Sequence, residues 1–310
     1  MEGVMMRGKT LYAMAVRKPN GEIAVVTHPI KDLSARHFWL KWPVVRGIAA
    51  FGSSLAVGMK TLTESAEIAT EGETEEPSRF ERYLRSKLGD KLNNILVQIS
   101  VLVAIAMAVL LFVLLPLWIG SGLSLLLAYG GDAVNPSFLG LLEGLARLLI
   151  FVAYVWVISR SKDIRRVFQY HGAEHKAING YEQGSELNIE DIQKFSRLHN
   201  RCGTSFLLIV MLISILVFTF VRTADPWMRL ASRLLLIPVV AGLSYEVIRW
   251  AGRSKSALVK LISFPGLCLQ RLTTGEPEDS QIEIAIKALK TVLQEEYPEK
   301  YKETIEETAL

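Results

Sequence analysis

Two histidines one helical turn apart are the residues best suited to chemistry in this sequence. They occur in His171-Gly172-Ala173-Glu174-His175, which has the H-x-x-E-H spacing of the inverted zincins. On a helix, side chains four positions apart share a face, so both imidazoles can bind one divalent metal ion, most simply Zn²⁺. Glu174 lies beside the second histidine and is placed to act as the general base on a water. The motif therefore predicts a catalytic metal site.

Three other residues are candidates for the third metal ligand. His199 and Cys202 stand close together just before an apolar run, and Glu246 lies inside another apolar run. An ionisable residue within a predicted span is a functional candidate by default. Asn188 is expected to cap a helix from Ile189 to about residue 198, which would deliver His199 to the membrane surface. The sequence leaves open which of the three completes the site.

These residues also have purely structural interpretations. The two histidines of the motif can be polar interface residues that bond to the backbone and to lipid phosphate. Glu246 can pair with Arg249 or with a neighbouring helix. Glu143 and Arg147, four residues apart in a predicted span, are interpreted as an internal structural pair.

Long apolar runs must position these side chains in or beside a membrane. Each is long enough to be read as a helix that crosses the hydrocarbon core. The runs are about Ile95–Ile119, Ser137–Ile158, Thr204–Val221 and Arg229–Trp250. Basic residues crowd the segment 159–203, whereas the loop 120–136 has neither Lys nor Arg. By the positive-inside rule, we expect a multi-pass protein of the inner or plasma membrane, with both termini and residues 159–203 in the cytoplasm.

The segments outside the spans are predicted to form small cytoplasmic elements. The pattern favours a β-hairpin over 9–30, an amphipathic interfacial helix over 43–60, a polar connector over 64–94 and an interfacial segment over 257–269. An apolar helical stripe from Ile282 to Leu293 needs a partner, which the hairpin or the cytoplasmic loop can supply. The predicted fold is mainly α: four transmembrane helices, a small N-terminal β-hairpin and cytoplasmic helices.

The domain organisation follows from these elements. We expect a cytoplasmic N-terminal region (1–94), a first pair of spans (95–158), a cytoplasmic loop that carries the His and Cys residues (159–203), a second pair of spans (204–250) and an interfacial segment with a C-terminal helix (251–310).

Composition limits the partners. The formal charge is +4 without a basic stripe interleaved with aromatic residues, so nucleic acid is not an expected partner. Basic residues beside the spans instead suit anionic lipid headgroups. Two functions remain open: a metal-dependent membrane hydrolase with a lipid or membrane-peptide substrate, and a non-enzymatic scaffold, channel or transporter component with a structural metal or none. A homo-oligomer around a pore would favour the second.

Several short motifs resemble a known family, the YqhQ-like bacterial integral membrane proteins of unknown function. The resemblance covers nearly the whole chain and is carried by Glu2–Gly8, Tyr170–Lys176, Phe195–His199, Arg201–Phe206, Leu272–Thr274 and Glu276-Pro277. It implies a metal-dependent enzyme that uses the histidine motif, without an agreed substrate or reaction.

Overall fold

The computed structural model of the protein describes residues 2–30, 38–69, 71, 91–128, 135–199, 202–221, 226–251 and 256–298. The central part of the predicted polar connector, residues 72–90, lies outside these ranges. The chain divides into two compact units. One contains residues 1–71, 155–213 and 234–310, and the other contains residues 72–154 and 214–233.

A three-stranded antiparallel sheet opens the chain. Its strands are β1 (Gly3–Arg7), β2 (Leu11–Arg17) and β3 (Ile23–Pro29), in the order β1-β2-β3. The predicted hairpin is present as β2 and β3, with Gly21 at φ +86° in the turn that connects them. The sequence analysis missed β1, because a five-residue strand followed by a tight turn carries little periodic signal.

Helices make up most of the remaining described residues. They are α1 (Val45–Ala69), α2 (Lys91–Val109), α3 (Leu115–Ala128), α4 (Pro136–Ile158), α5 (Lys162–Glu182), α6 (Ile189–Ile192), α7 (Gly203–Thr219), α8 (Pro226–Ala251), α9 (Ala257–Thr273) and α10 (Asp279–Glu296). A short π-helical segment, Leu110–Leu114, joins α2 to α3, and a 3₁₀ turn spans Phe38–Lys41.

Helix α1 is longer than the predicted amphipathic helix. It continues to Ala69, so residues 64–69 belong to the helix and not to the connector. Its apolar side chains recur every three or four positions and are exposed: Ile48, Phe51, Leu55, Met59 and Leu62. We call these five residues the α1 stripe. Thr61 and Ser65, on another face of the helix, are buried.

Three helices in the described residues are long and apolar enough to cross a membrane: Gln98–Leu126, Ser137–Ile158 and Ala231–Trp250. The second matches its prediction, and the first runs beyond the predicted end at Ile119, because residues 120–128 continue the apolar helix. The fourth predicted span is present as Ala231–Trp250, whereas the third corresponds to a shorter apolar helix, Phe206–Thr219. By length and composition the structure thus supports three spans and not clearly four.

Helix α10 lies at the centre of a hydrophobic core that it shares with the sheet and α5. Its fully buried Ile282, Ala285 and Ala288 pack with residues of the sheet and of α5. The predicted stripe of α10 therefore has both of the partners proposed for it. Helix α1 also packs against β2. Alternate residues of a strand face opposite ways, and Ala13 and Ala15 lie in the α10 core. We therefore place α10 and α1 on opposite faces of the sheet.

The second unit holds buried charges between apolar helices. Glu143 is fully buried and forms an ion pair with Arg233. Arg147 donates its Nε–H to the carbonyl oxygen of Phe112 at 2.8 Å. The sequence predicted a Glu143–Arg147 pair; in the structure the Glu143 charge acts on Arg147, and each residue also has a partner on another segment.

Candidate functional site

Helix α5 brings the two histidines of the motif together. The ring centroids of His171 and His175 are 4.4 Å apart, with an angle of 63° between the planes. His175 is buried and His171 is partly buried. Their spacing of four residues on a continuous helix places both rings on one face, as the sequence predicted.

Backbone carbonyls from two other segments orient both rings. His171 Nδ1 lies 2.8 Å from the carbonyl oxygen of Thr273, at the end of α9. His175 Nδ1 lies 2.6 Å from the carbonyl oxygen of Arg197. A carbonyl oxygen only accepts, so each Nδ1 carries the proton and each neutral ring keeps its lone pair on Nε2. Metal-binding histidines are commonly fixed in this way.

Cys202 faces the free nitrogens of this pair. Its Sγ lies 3.1 Å from His171 Nε2, and the ligand atoms of His171, His175 and Cys202 all lie within 4.8 Å of one another. At the start of α7, the backbone N–H of Thr204 donates to Sγ over 3.4 Å. Burial raises the pKa of the Cys202 thiol, but the neighbouring His175 and Thr204 outweigh it and hold the pKa below its usual value. This favours the thiolate, the form of cysteine that binds metals.

A glycine allows the segment after α9 to lie against α5. A Cβ atom on Gly172 would stand 2.1 Å from the carbonyl oxygen of Gly275. The N–H of Gly275 donates to the carbonyl oxygen of Phe168 at 2.7 Å, which fastens the two segments together. This contact brings the Thr273 carbonyl to His171. The glycine inside the histidine motif is therefore a requirement of packing.

His199 lies near the cluster but is held by different partners. A buried side-chain amide from α9, that of Gln270, accepts from the His199 backbone N–H at 2.9 Å and donates to its carbonyl oxygen at 2.8 Å. The His199 ring centroid is 5.8 Å from that of His175, and its Nε2 lies 3.4 Å from a carboxylate oxygen of Glu182. The structure thus groups Cys202, and not His199, with the two histidines of the motif.

The segment that leads to His199 is not the predicted helix. Asn188 does cap a helix, accepting from the backbone N–H of Asp191 at 2.8 Å, but α6 ends at Ile192. Beyond it, the side-chain amide of Asn179 donates to the carbonyl oxygens of Ser196 and Leu198. These bonds to α5 replace those of a continuing helix, and the chain runs through turns and bends instead.

Glu246 is not part of the cluster. It forms an ion pair with Arg46 of α1, and Arg46 Nε donates to Glu246 Oε1 at 2.6 Å. Close contacts around Gly47 and Gly242 let α1 and α8 approach, since a Cβ on Gly47 would lie 2.9 Å from the carbonyl oxygen of Gly242. The structure therefore supports the alternative of pairing with a neighbouring helix, although the partner is Arg46 and not Arg249.

Glu174 faces a cavity next to the cluster. The cavity has a volume of about 260 Å³ and lies between α5, α1 and the sheet, with both His171 and Glu174 in its wall. Burial raises the pKa of the Glu174 carboxyl, and the nearby His171 opposes that shift. His171 thus borders both the cluster and the cavity. The sequence offered no signal for the carbonyls of Thr273 and Arg197 or for the cavity, because all of them depend on contacts distant in the chain.

Comparisons with known proteins identify the family of the chain. Residues 42–295 match the model of a family described as "Protein of unknown function (DUF1385)". The chain belongs to this family. It is also 35% identical over 303 residues to a protein named "Uncharacterized protein YqhQ" from Bacillus subtilis (strain 168), across 94% of this chain and 90% of that protein. No solved structure matches the chain.

Proposed function

We propose that the protein is a metal-dependent hydrolase of the membrane, with His171, His175 and Cys202 as the metal ligands. The observation that carries this proposal is the orientation of the two rings: each Nδ1 is bound to a backbone carbonyl, which leaves each Nε2 free beside a buried sulfur. Two imidazoles and a thiolate form a donor set that suits Zn²⁺.

Three protein donors favour a catalytic ion over a structural one. Structural zinc sites are closed by four protein ligands, whereas catalytic sites have three and keep one position open. His199, the nearest further histidine, is turned toward Glu182 and is bound through its backbone to Gln270. The cavity beside His171 gives the open position a space for substrate.

The proposed reaction adds water across an ester or amide bond. Zinc, when bound, lowers the pKa of water to about 7 and polarises a carbonyl oxygen. Glu174 accepts a proton from the attacking water as the new oxygen–carbon bond forms. The same carboxyl then passes that proton to the leaving oxygen or nitrogen as the old bond breaks. Burial raises the pKa of the Glu174 carboxyl, which makes its carboxylate a stronger base.

A cysteine hydrolase is a second candidate, favoured by the distance of 3.1 Å between His171 Nε2 and Cys202 Sγ. A thiol within hydrogen-bond reach of an imidazole can act as a nucleophile, with histidine as its base. The oriented Nε2 of His175 beside the same sulfur argues for a metal, since a catalytic dyad needs only one such ring.

We further propose four spans, with α7 as the additional one and both termini in the cytoplasm. The sheet, α5 and α10 share one core, so they lie on one side of the membrane. The chain must then cross the membrane an even number of times between the sheet and α5. It must also cross an even number of times between α5 and α10. If α8 crosses, α7 crosses too. Its 17 residues reach about 26 Å at about 1.5 Å per residue, so local thinning of a bilayer core about 30 Å thick can accommodate it.

Metal analysis of the purified protein tests the proposed ligands. Wild-type protein in detergent should contain one zinc ion per chain, as measured by inductively coupled plasma mass spectrometry. His171→Ala, His175→Ala and Cys202→Ser should each lose most of it, with a loss of affinity of at least about tenfold. Glu246→Gln and His28→Ala are controls that should retain the metal, because His28 pairs with Glu64 on a different surface. A metal-free wild-type protein would contradict the proposal.

Alkylation separates the metal site from the cysteine hydrolase. In a Cys268→Ser background, a metal-bound Cys202 should react slowly with iodoacetamide, and removal of the metal by a chelator should speed the reaction. A free cysteine nucleophile would react at the same rate with or without the chelator. Hydrolysis of any lipid ester by the wild type should be lost in Glu174→Gln while its metal content stays unchanged.

A further inference from the structure

The cavity beside His171 has two polar groups that find no partner in the protein. Thr61 Oγ1 and Ser65 Oγ are buried, and within the described part of the chain neither has a hydrogen-bond partner. The two residues are 7% and 3% exposed, and both line the cavity. A buried hydroxyl without a partner costs about 1–3 kcal/mol, so a side-chain rotation that turns either hydroxyl toward a polar atom in the cavity would relieve this cost.

Three walls enclose this space. Helix α1 supplies Gly58, Thr61, Leu62 and Ser65, which lie on one helical face, and α5 supplies Val167, Tyr170, His171 and Glu174 with the same spacing. The sheet forms the third wall through Met5 and Met14. Thr61 and Ser65, four residues apart on one helix, thus line a space that His171 and Glu174 of another helix also border.

Apart from these groups the lining is mostly alkyl. Val4, Met5, Met14, Leu62 and Val167 offer methyl and methylene surfaces, which favour a hydrocarbon occupant. A volume of about 260 Å³ corresponds to about nine water molecules at about 30 Å³ each, too small for a whole lipid. It suits the carbonyl region of an acyl chain and its first methylene groups.

The α1 stripe links the cavity to an apolar surface. Leu62 lines the cavity and is also 47% exposed, and Met59, Leu55, Phe51 and Ile48 continue the exposed row along the helix. Exposed apolar residues in a row on an amphipathic helix are suited to the surface of a bilayer. In a chain with spans of its own, this row gives an acyl chain an apolar path from the membrane into the cavity.

We infer that the cavity binds the ester-linked acyl chain of a membrane lipid, with the ester carbonyl at the Thr61 and Ser65 hydroxyls. This inference rests on the proposed hydrolase, for which it names the substrate class. The alkyl walls hold the chain, the hydroxyls donate to the carbonyl oxygen, and His171 and Glu174 border the bond to be broken.

Two glycines of α1 offer a blocking variant and a matched control. A Cβ on Gly58 would meet no atom within 4 Å, so Gly58→Leu can extend into the cavity without a clash. A Cβ on Gly52 would also meet no atom, but Gly52 does not line the cavity. Both changes replace a helical glycine with the same residue, so their effects on helix stability should match.

The experiment uses vesicles of phosphatidylethanolamine and phosphatidylglycerol that contain the full-length protein and a trace of phosphatidylglycerol with a diazirine on its acyl chain. Crosslinks should map to peptides that contain Met5, Met14 or Leu62 in the wild type and in Gly52→Leu. They should be lost from these peptides in Gly58→Leu and fall about fivefold in Thr61→Val. Crosslinks confined to the spans, or unchanged by Gly58→Leu, would overturn the inference.

Competition identifies the carbonyl as the recognised group. Unlabelled diester phosphatidylglycerol should compete with the probe several-fold better than its diether analogue, and Thr61→Val should abolish this preference. Thr61→Val should also leave the thermal midpoint unchanged or raise it, because it removes an unpartnered buried hydroxyl. Equal competition by both lipids, or a lower thermal midpoint in Thr61→Val, would show that the hydroxyls do not recognise a carbonyl.

A metal-free variant separates this inference from the proposed function. His175 binds the proposed metal but does not line the cavity. His175→Ala should therefore lose zinc and keep its lipid crosslinks. If wild-type protein proves metal-free yet shows the crosslinks, the lipid site stands and the hydrolase fails. If zinc is present and the crosslinks are absent from the cavity, the lipid site fails alone.

Discussion

At the scale of single residues, a backbone contact decides what the two histidines can do. The carbonyl of Thr273 fixes the tautomer of His171, and that carbonyl is close only because α5 has a glycine where the segment after α9 crosses it. Gln270 has a similar effect on the segment before Cys202. Its side-chain amide binds both the backbone N–H and the carbonyl oxygen of His199. Gly172 and Gln270, to which we assign no part in the proposed reaction, thus help to position the histidines.

Gly172→Ala should disrupt the site although it leaves every proposed ligand in place. The new methyl group would lie 2.1 Å from the carbonyl oxygen of Gly275, so the segment must move away from α5. We expect a loss of about 1–3 kcal/mol of stability and weaker zinc binding. Thermal unfolding in detergent and metal analysis would measure both effects.

Gly52→Ala is the matched control for this change, because a Cβ there meets nothing. In an exposed helical position it should raise stability by up to about 1 kcal/mol. Unchanged zinc affinity and stability in Gly172→Ala would show that the close approach of the two segments does not orient His171.

At the scale of elements, the C-terminal helix holds the N-terminal sheet. The Glu296 carboxylate, at the end of α10, accepts hydrogen bonds from the backbone N–H groups of Lys9, Thr10 and Leu11 in the turn between β1 and β2. Burial disfavours the charged form, but these donors outweigh it and hold the pKa of Glu296 below its usual value of 4.5. The first and last elements of the chain are therefore joined by one carboxylate.

Glu296→Gln should make the protein less stable at neutral pH, by about 1 kcal/mol. The pKa of Glu296 is lower in the folded state, so its contribution is fully present above about pH 4.5 and is lost as the pH falls through the lower folded pKa. The difference in thermal midpoint between variant and wild type should shrink across that acid range.

Glu295→Gln removes the same charge from the neighbouring exposed residue and serves as the control. It should change the midpoint little at any pH. A difference between Glu296→Gln and wild type that stayed constant from neutral to acid pH would argue against a charged clamp on the turn.

At the scale of the whole molecule, one shared core constrains how the chain crosses the membrane. Strands near the start, α5 in the middle and α10 near the end pack together, so the segments between them must leave and return to the same side. This constraint comes from packing alone and does not use the distribution of basic residues. It is compatible with the topology that we propose from the positive-inside rule, in which both termini lie on one side and α7 is a short span.

Labelling of introduced cysteines tests this topology. In a Cys268→Ser background, a membrane-impermeant maleimide should label Asp132→Cys in intact cells, because the proposed topology puts the sequence between the first two proposed spans outside the cytoplasm. Lys287→Cys, exposed on α10, should be labelled only after the cells are made permeable. Labelling of Lys287→Cys in intact cells would place α10 outside the cytoplasm and contradict the proposed orientation.

The sequence by itself determined the features that depend on local periodicity. The spacing of the motif places His171 and His175 on one face of a helix, the apolar runs give long membrane-compatible helices, and the stripe from Ile282 to Leu293 gives a helix with one buried face. Each of these follows from residues within a few turns of one another, so helical geometry alone fixes them.

The tertiary structure decided the features that depend on contacts across the chain. Cys202 lies beside the two histidines of the motif. His199 contacts Gln270 through its backbone and Glu182 through its ring, and Glu246 forms an ion pair with Arg46. All three were equal candidates in the sequence, because the spacing along a chain says nothing about which distant segments meet. The cavity beside Glu174 exists for the same reason: its walls come from elements that only the packing of the core brings together.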